Sequence, residues 1–282
     1  MKNLINSSRQ SLREAKNKFV KNYFRFRMNS TQSPYKILLR NNPYKILFLL
    51  SHMRSGSSLL THILSSNPEI IGYGETHIQY SSEEDFKQLM LKNYLNVPEF
   101  KRIKDFKNFR MNHQYILDKV LHNNKFLDNS FLTSGNVYVI FLLREPQRTL
   151  NSILDLKPHW SEEEALLYYS DRLKNLELYA QVINNLDRAF FLTYEQLLNS
   201  TDLVLEKLQS FLETKHPLTE NYKVFKTTGQ PGVGDSKENI KAGQILRHSR
   251  KLSTHVSSAS IDLAEKAFKN CVSTFSNYCC LI

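Results

Sequence analysis

The chain of 282 residues is 41% hydrophobic and 23% charged, with three cysteines and a formal net charge of +11. This length and composition suit one large domain with its own core, or at most two small ones, and they exclude a disordered or fibrous chain. No apolar run reaches the length of a membrane span, the first residues do not form a secretory signal, and the cysteines form no disulfide framework, so we expect a cytoplasmic protein.

The excess positive charge belongs to the N-terminus. Residues 1–40 hold ten Lys and Arg side chains and a single acid, Glu14, which leaves 28 basic and 26 acidic side chains for the rest of the chain. A protein that follows a nucleic acid carries its cations on the folded face. We therefore expect no nucleic-acid partner.

An amphipathic pattern runs through the same basic segment. Apolar side chains recur at roughly helical spacing, with basic residues between them, at Leu12, Phe19, Tyr23 and Phe26. This pattern predicts a basic helical extension over 1–40, ahead of one domain over 41–282. Packing on its own domain or on a second subunit, and contact with a membrane surface or a partner, remain open for this helix.

Strand-like and helical segments alternate along the rest of the chain. The strand-like segments are mainly continuous apolar runs, which are typical of parallel sheets buried on both faces; they lie at 44–51, 115–119, 137–144 and 189–194, with a shorter one at 69–71. The helical patterns lie at 59–64, 83–94, 162–183 and 203–212. This alternation predicts an α/β protein with a three-layer, P-loop-like fold, in which helices flank a central and mostly parallel sheet.

The residues after the first strand form a candidate anion site. They read "RSGSS" and comprise Arg54, Ser55, Gly56, Ser57 and Ser58, directly before a predicted helix. A helix N-terminus presents unpaired N–H groups and the positive end of the helix dipole. The glycine permits close approach of the backbone, the serines add hydroxyl donors, and the arginine adds a full charge.

This site does not match the phosphate loop of nucleoside triphosphatases. That loop requires G-x-x-x-x-G-K-[ST], whereas position 51 is Ser and Ser57 follows Gly56. No carboxylate suited to Mg²⁺ is evident at the end of a neighbouring strand, so we expect no metal. A phosphate-transferring kinase of this fold remains the first alternative, and a protein that binds through its basic N-terminus is the second.

A second strand end carries a similar set of residues. The run "VYVIFLL" is followed by Arg144, by Pro146, which suits the first turn of a helix, and by Ser152 about two turns further on. Because the carboxyl ends of parallel strands share one edge of a sheet, two such sites would hold two phosphates of one nucleotide.

These motifs resemble those of the sulfotransferases that use 3′-phosphoadenosine 5′-phosphosulfate (PAPS), in the style of the tyrosylprotein, carbohydrate and bacterial small-molecule branches. "RSGSSLLTHILSSNPEIIGYGE" is similar to their 5′-phosphosulfate loop, and "REPQRTLNS" is similar to their 3′-phosphate motif. Weaker similarities are "FFLTYEQLL", "ILDKVLHN" and the late loop "GVGDSKENIKAG". The resemblance covers about residues 45 to 245.

The resemblance implies a binding role for each matching residue. Arg54 and residues 55–58 would hold the phosphosulfate end of PAPS, and Arg144 and Ser152 would grip the 3′-phosphate. Tyr194 would lie near the adenine. Lys241, in the predicted loop over 227–243, would contact a phosphate.

The resemblance also implies the chemistry. Glu75 would be the general base that accepts the proton of the acceptor, with His77 as the local alternative. Lys119 would contact the transferred sulfuryl group, and Arg54 would stabilise charge on the leaving phosphate. We expect in-line transfer to a hydroxyl or amine of a small molecule, such as a natural product of secondary metabolism. Carbohydrate or peptide tyrosine as the acceptor, and an oligomeric protein, remain open.

Overall fold

A computed structural model describes residues 2–97, 109–225, 228, 239–247 and 255–282. The strands are β1 (Lys45–Ser51), β2 (Ile70–Ile71), β3 (Tyr115–Val120), β4 (Val137–Leu143) and β5 (Ala189–Thr193). The α-helices are α1 (Lys2–Asn29), α2 (Ser57–Ser66), α3 (Asp85–Asn96), α4 (Pro146–Leu156), α5 (Glu162–Ile183), α6 (Tyr194–Asn199), α7 (Thr201–Leu212) and α8 (Ser258–Tyr278).

The five strands form one sheet in the order β2-β3-β1-β4-β5, and every pair is parallel. The chain adds β2 and β3 on one side of β1 and then crosses to add β4 and β5 on the other. The strand order therefore reverses at β1, and the carboxyl ends beside such a reversal form a crevice in which ligands of α/β proteins bind. The candidate loop at 54–58 follows the carboxyl end of β1.

Alternate residues of β1 face two separate cores. Ile46, Phe48 and Leu50 belong to one hydrophobic cluster, which includes residues of α3, α5 and α8. Leu47 and Leu49 belong to the other, with residues of α2 and α7. Successive side chains of a strand point to opposite faces, so the sheet is covered on both sides. This confirms the predicted three-layer α/β fold.

The sequence signals for α5 and α4 act as expected. Ser161 Oγ accepts a hydrogen bond from the Glu164 backbone N–H, and the Glu164 carboxylate accepts one from the Ser161 backbone N–H, which completes the predicted capping box. Pro146 occupies the first turn of α4, where its missing N–H loses no hydrogen bond.

The N-terminal helix α1 packs through a face that its sequence pattern does not single out. Val20, Phe24 and Met28 are buried in the core, whereas Phe19 and Phe26 are 63% and 62% exposed. The predicted apolar face is thus wrong in part, because the partners that select the buried face, such as Tyr94 of α3 beside Phe24, lie far along the chain. The domain boundary near residue 40 stays a prediction.

The last helix, α8, was not predicted from the sequence. It packs along α5, and the chain after it returns to the sheet, where Cys280 pairs with Phe190. Among the described residues, the helices fall short of the combined length and apolarity that a membrane crossing requires.

Candidate active site

The loop after β1 has the backbone of an anion cradle. Arg54 and Gly56 both have positive φ, at 65° and 88°, and Gly56 directly precedes α2 without a side-chain cap. A non-glycine residue is strained in this left-handed region, and such strain concentrates at binding sites. The loop is tied to the sheet through Ser51 Oγ, which lies 2.5 Å from both the Leu142 carbonyl and Ser55 Oγ.

Gly56 also lies directly beneath an aromatic ring. A Cβ atom added at Gly56 would lie 2.2 Å from Cδ2 of Tyr194. Tyr194 begins α6 at the carboxyl end of β5, after a capping box formed by Thr193 and Gln196. Its ring therefore covers the loop from the end of β5, which is separated from β1 by β4. Its predicted place near an adenine stays a prediction.

Replacement of Gly56 by alanine should displace this ring. The methyl group overlaps the Tyr194 ring, and alanine is strained at the Gly56 φ of 88°; together these effects should lower the free energy of unfolding by about 1–3 kcal/mol. Urea denaturation measures the effect. Gly135→Ala is the matched control, since a Cβ there meets nothing within 4 Å. Equal stability of the two variants would contradict this packing.

The two predicted anion sites meet in one cluster. Arg54 Nε donates to Ser152 Oγ at 2.8 Å, and an Arg144 guanidinium N–H donates to the Arg54 carbonyl at 3.1 Å. The Arg144 guanidinium lies 4.5 Å from the centre of the Tyr194 ring, which places a cation over an aromatic face. Residues from the ends of β1, β4 and β5 and from α4 thus form one candidate anion-binding site.

Arg144 is poised for an anionic ligand. Its Nε atom is buried and has no hydrogen-bond partner among the described residues. Burial lowers the pKa of Arg144, and the adjacent Tyr194 and Glu195 oppose this effect. A buried guanidinium donor without a partner is costly, and a phosphate oxygen would satisfy it.

A lysine and a carboxylate lie beside this cluster. Lys119 of β3 is buried, and its Nζ lies 3.3 Å from both Glu75 Oε1 and Ser58 Oγ. Ser58 is in the first turn of α2, so one hydrogen bond links the anion cradle to the pair. Burial lowers the pKa of Lys119, and Glu75 raises it. The Glu75 side chain is 14% exposed, which leaves it open to a reactant.

Asp118 fixes the segment that carries Glu75. The side chains of Asp118 and Lys119 point to opposite faces of β3, and the Asp118 carboxylate accepts hydrogen bonds from the Thr76 N–H, the Thr76 hydroxyl and the Tyr80 hydroxyl. The Lys119 N–H donates to the Gly74 carbonyl. The backbone on both sides of Glu75 is therefore held by consecutive residues of β3.

Asp118 should make stability depend on pH. Burial raises its pKa to about 6, above about 3.9 in an unfolded chain, although its hydrogen bonds lower it. Between about pH 4 and 6 the folded state binds more protons, so stability falls as pH rises, by about 2–3 kcal/mol in total. Asp118→Asn removes this titration. Urea denaturation of both proteins at pH 4 and pH 7.5 measures it; a stability difference that is the same at both values would contradict the prediction.

Two residues of α5, the buried Arg172 and the partly buried Tyr168, support the carboxyl edge of the sheet, and the sequence did not indicate these roles. The Arg172 guanidinium donates to the carbonyls of Ser51 and Val120, at 2.8 and 2.7 Å, which joins the ends of β1 and β3. The Tyr168 hydroxyl accepts from the Met53 N–H and donates to the Leu121 carbonyl. The capping box predicts the helix but does not indicate which of its side chains face the site.

Two ring-bearing side chains, Tyr168 and His122, lie near the Glu75 carboxylate. The Tyr168 ring lies 6.1 Å from that of His122 and 5.8 Å from that of Trp160. His77, the alternative base, is exposed. Lys241 is also exposed, in the short 3₁₀ turn Asn239–Ala242, and most of the predicted loop before it lies outside the described residues. The roles of His77 and Lys241 stay predictions.

In the described part of the chain, no group of three or more His, Cys, Asp or Glu side chains is placed to hold a metal ion. The roles of the site residues rest on the contacts above. The structure brings together Arg54, the loop 55–58, Arg144, Ser152 and Tyr194, and links them through Ser58 to Lys119 and Glu75.

A family model described as "Sulfotransferase family" matches residues 47–217. The match covers more than half of the chain, and the chain belongs to the sulfotransferase family. This confirms the predicted family and enzyme class, and PAPS as the co-substrate agrees with it. The comparison with curated proteins finds no match.

Two solved sulfotransferase domains show the same fold, and a third structure is a weaker match. A sulfotransferase domain from the curacin biosynthetic pathway matches with a TM-score of 0.52 and 16% identity, over 80% of this chain and 98% of that one. A sulfotransferase domain from the Synechococcus PCC 7002 olefin synthase matches with a TM-score of 0.50 and 20% identity, over 81% and 96%. Mouse sulfotransferase SULT7A1 complexed with PAP matches with a TM-score of 0.41 and 13% identity, over 84% and 86%.

Proposed function

We propose that this protein transfers the sulfuryl group of PAPS to a hydroxyl or amine of a small-molecule acceptor. The observation that carries the proposal is a pair of contact sets that the loop 54–58 joins: Arg54 bonds to Ser152 at one end of the loop, and Ser58 at the other end bonds to Lys119, which pairs with Glu75. These contacts support a site with anion-binding groups and a carboxylate, beside the point where the strand order reverses.

The residues suit a ligand with two separated anionic ends. The Gly56 loop and the N-terminus of α2 form the seat for the phosphosulfate, where backbone N–H groups and serine hydroxyls donate to oxygens. Arg144 and Ser152 hold the 3′-phosphate, and the unpartnered Nε of Arg144 is one donor for it. PAPS has both ends, whereas ATP carries no 3′-phosphate.

The transfer step needs a base and a stabilised leaving group. The Glu75 carboxylate accepts the proton of the acceptor as the acceptor oxygen or nitrogen bonds to sulfur. The bond between sulfur and the bridging oxygen breaks, and its electron pair remains on the 5′-phosphate of the product, adenosine 3′,5′-bisphosphate (PAP). Lys119 donates to the sulfuryl oxygens or the bridging oxygen, and Arg54 stabilises the leaving phosphate.

The acceptor is proposed to be a small natural product. Two observations support this class. Tyr168 and His122 lie near the Glu75 carboxylate, and the Trp160 ring contacts that of Tyr168, so aromatic groups that suit a compact organic molecule are close to the proposed base. Two domains of similar fold, described above, belong to a curacin pathway and an olefin synthase.

Calorimetry with PAP tests the nucleotide part of the proposal. Binding of PAP at least about tenfold tighter than adenosine 5′-phosphate is expected, because only PAP engages Arg144 through a 3′-phosphate. Failure to bind PAP would overturn the proposal, and ATP-dependent activity lost on chelation would favour the kinase alternative. Mass spectrometry of candidate acceptors incubated with PAPS, with a gain of about 80 Da for SO₃, then identifies the acceptor.

A further inference from the structure

His52, the residue directly after β1, joins two strand ends. It is completely buried. Its Nδ1 lies 2.9 Å from the Met53 carbonyl oxygen, and its Nε2 lies 3.2 Å from the backbone nitrogen of Arg144. One imidazole ring therefore connects the residue before Arg54 to the residue after β4.

The contacts of His52 determine its tautomer. The Arg144 N–H can only donate, so Nε2 accepts and carries no proton. The proton of the neutral ring is then on Nδ1, where it donates to the Met53 carbonyl. Burial lowers the pKa of His52 to about 3, and the nearby Arg172 and Arg144 charges act in the same direction. The ring stays neutral near pH 7 and does not serve as an acid or base.

Tyr169 holds the other backbone group of the same arginine. Its hydroxyl donates to the Arg144 carbonyl at 3.1 Å, and its ring meets the His52 ring nearly edge-on, with centres 5.0 Å apart. β4 ends at Leu143, so the backbone of Arg144 lies beyond the strand. The Thr149 hydroxyl of α4 donates to the same carbonyl at the longer distance of 3.4 Å. Side chains from the end of β1, from α5 and from α4 therefore hold both backbone polar groups of Arg144.

We propose that His52 and Tyr169 are positioning residues for Arg144. They hold its backbone so that its guanidinium stays between the Arg54 carbonyl and the Tyr194 ring, at the place proposed for the 3′-phosphate. The inference rests on the proposed function for the identity of that ligand. It adds that the neutral His52 ring sets the distance between the two parts of the site that would bind the two anionic ends of the ligand.

The test compares two ligands that differ only in the 3′-phosphate. Calorimetry measures the affinities of PAP and of adenosine 5′-phosphate for wild type, His52→Phe and His52→Gln. His52→Phe removes the partners of the Arg144 N–H and of the Met53 carbonyl. PAP affinity should fall about 5- to 100-fold, and affinity for adenosine 5′-phosphate should fall clearly less, because that ligand does not engage Arg144 through a 3′-phosphate. His52→Gln offers an amide oxygen near the former Nε2 and should keep PAP affinity within about threefold.

Tyr169→Phe is the second variant, and it removes a single hydroxyl group. It should also weaken PAP selectively, and it replaces His52→Phe in the comparison if circular dichroism shows that His52→Phe does not fold. The positioning role would be overturned if wild type binds PAP and a folded variant either loses affinity for both ligands equally or loses no affinity for PAP. A wild-type protein that does not bind PAP would instead overturn the proposed function, and this inference with it.

Discussion

Replacement of Glu75 by glutamine is expected to reduce sulfuryl transfer by about 10²–10⁴-fold, the usual contribution of a general base. The amide keeps the size of the side chain and still accepts a hydrogen bond from Lys119, but it cannot take the proton of the acceptor. PAP affinity should remain within about threefold, because the anion cradle does not include Glu75. Single-turnover transfer from PAPS to the identified acceptor, together with calorimetry, separates the two effects.

His77→Gln is the control for this experiment. His77 is two residues away and exposed, and it is the local alternative as base. Activity near wild type in this variant, with loss in Glu75→Gln, assigns the proton transfer to Glu75. The reverse pattern, or near-full turnover by Glu75→Gln, would show that the assignment is wrong.

Replacement of Arg144 by alanine should weaken PAP binding by about 10- to 100-fold, in line with the loss of a hydrogen bond to a charged group. The guanidinium is the proposed contact for the 3′-phosphate, so affinity for adenosine 5′-phosphate should change little. At saturating PAPS, turnover should stay within a few-fold of wild type. Calorimetry and donor-dependent kinetics measure these quantities.

Arg148→Ala provides a matched comparison for Arg144→Ala. Arg148 lies one turn along on α4, its side chain is 45% exposed, and it pairs with Glu145 at 3.1 Å. Its removal deletes the same charge but should leave PAP affinity unchanged. Equal effects of the two variants would mean that PAP responds to general positive charge and not to a placed donor.

Local patterns predicted much of the fold. The apolar runs that became β1, β3, β4 and β5 are buried on both faces, and such runs have few stable locations other than the centre of a sheet. Helix α5 extends over the predicted residues 162–183, because its start is encoded by a capping box. The strand order and its reversal at β1 were not predicted, since they depend on pairing between distant segments.

The buried face of a helix is also hard to predict from local sequence when the residues that cover it lie far along the chain. Phe19 and Phe26 match helical spacing as well as Val20 and Phe24 do, yet only the second pair is buried. The spacing of apolar residues along the sequence indicates that a helix has an apolar side, but it does not indicate which part of the protein covers that side.

For the candidate site, the sequence indicated the residues that are proposed to touch a ligand, but not the residues that hold them in place. Arg54, Gly56 and Arg144 lie in short motifs at strand ends, and such motifs indicate an anion-binding role from the local sequence alone. His52, Asp118 and Tyr169 act through backbone groups that the fold brings to them. No local pattern distinguishes such residues from ordinary buried ones.

Arg172 has a consequence for how the site responds to salt. It is completely buried, and the groups to which its guanidinium donates, the Ser51 and Val120 carbonyls and the Asn123 side-chain oxygen, are uncharged. The positive charge of Arg172 is therefore fixed inside the protein at the carboxyl edge of the sheet, where mobile ions screen it poorly. Nucleotide affinity should consequently decline less steeply with ionic strength than a site built from surface lysines would, despite the strongly basic first forty residues.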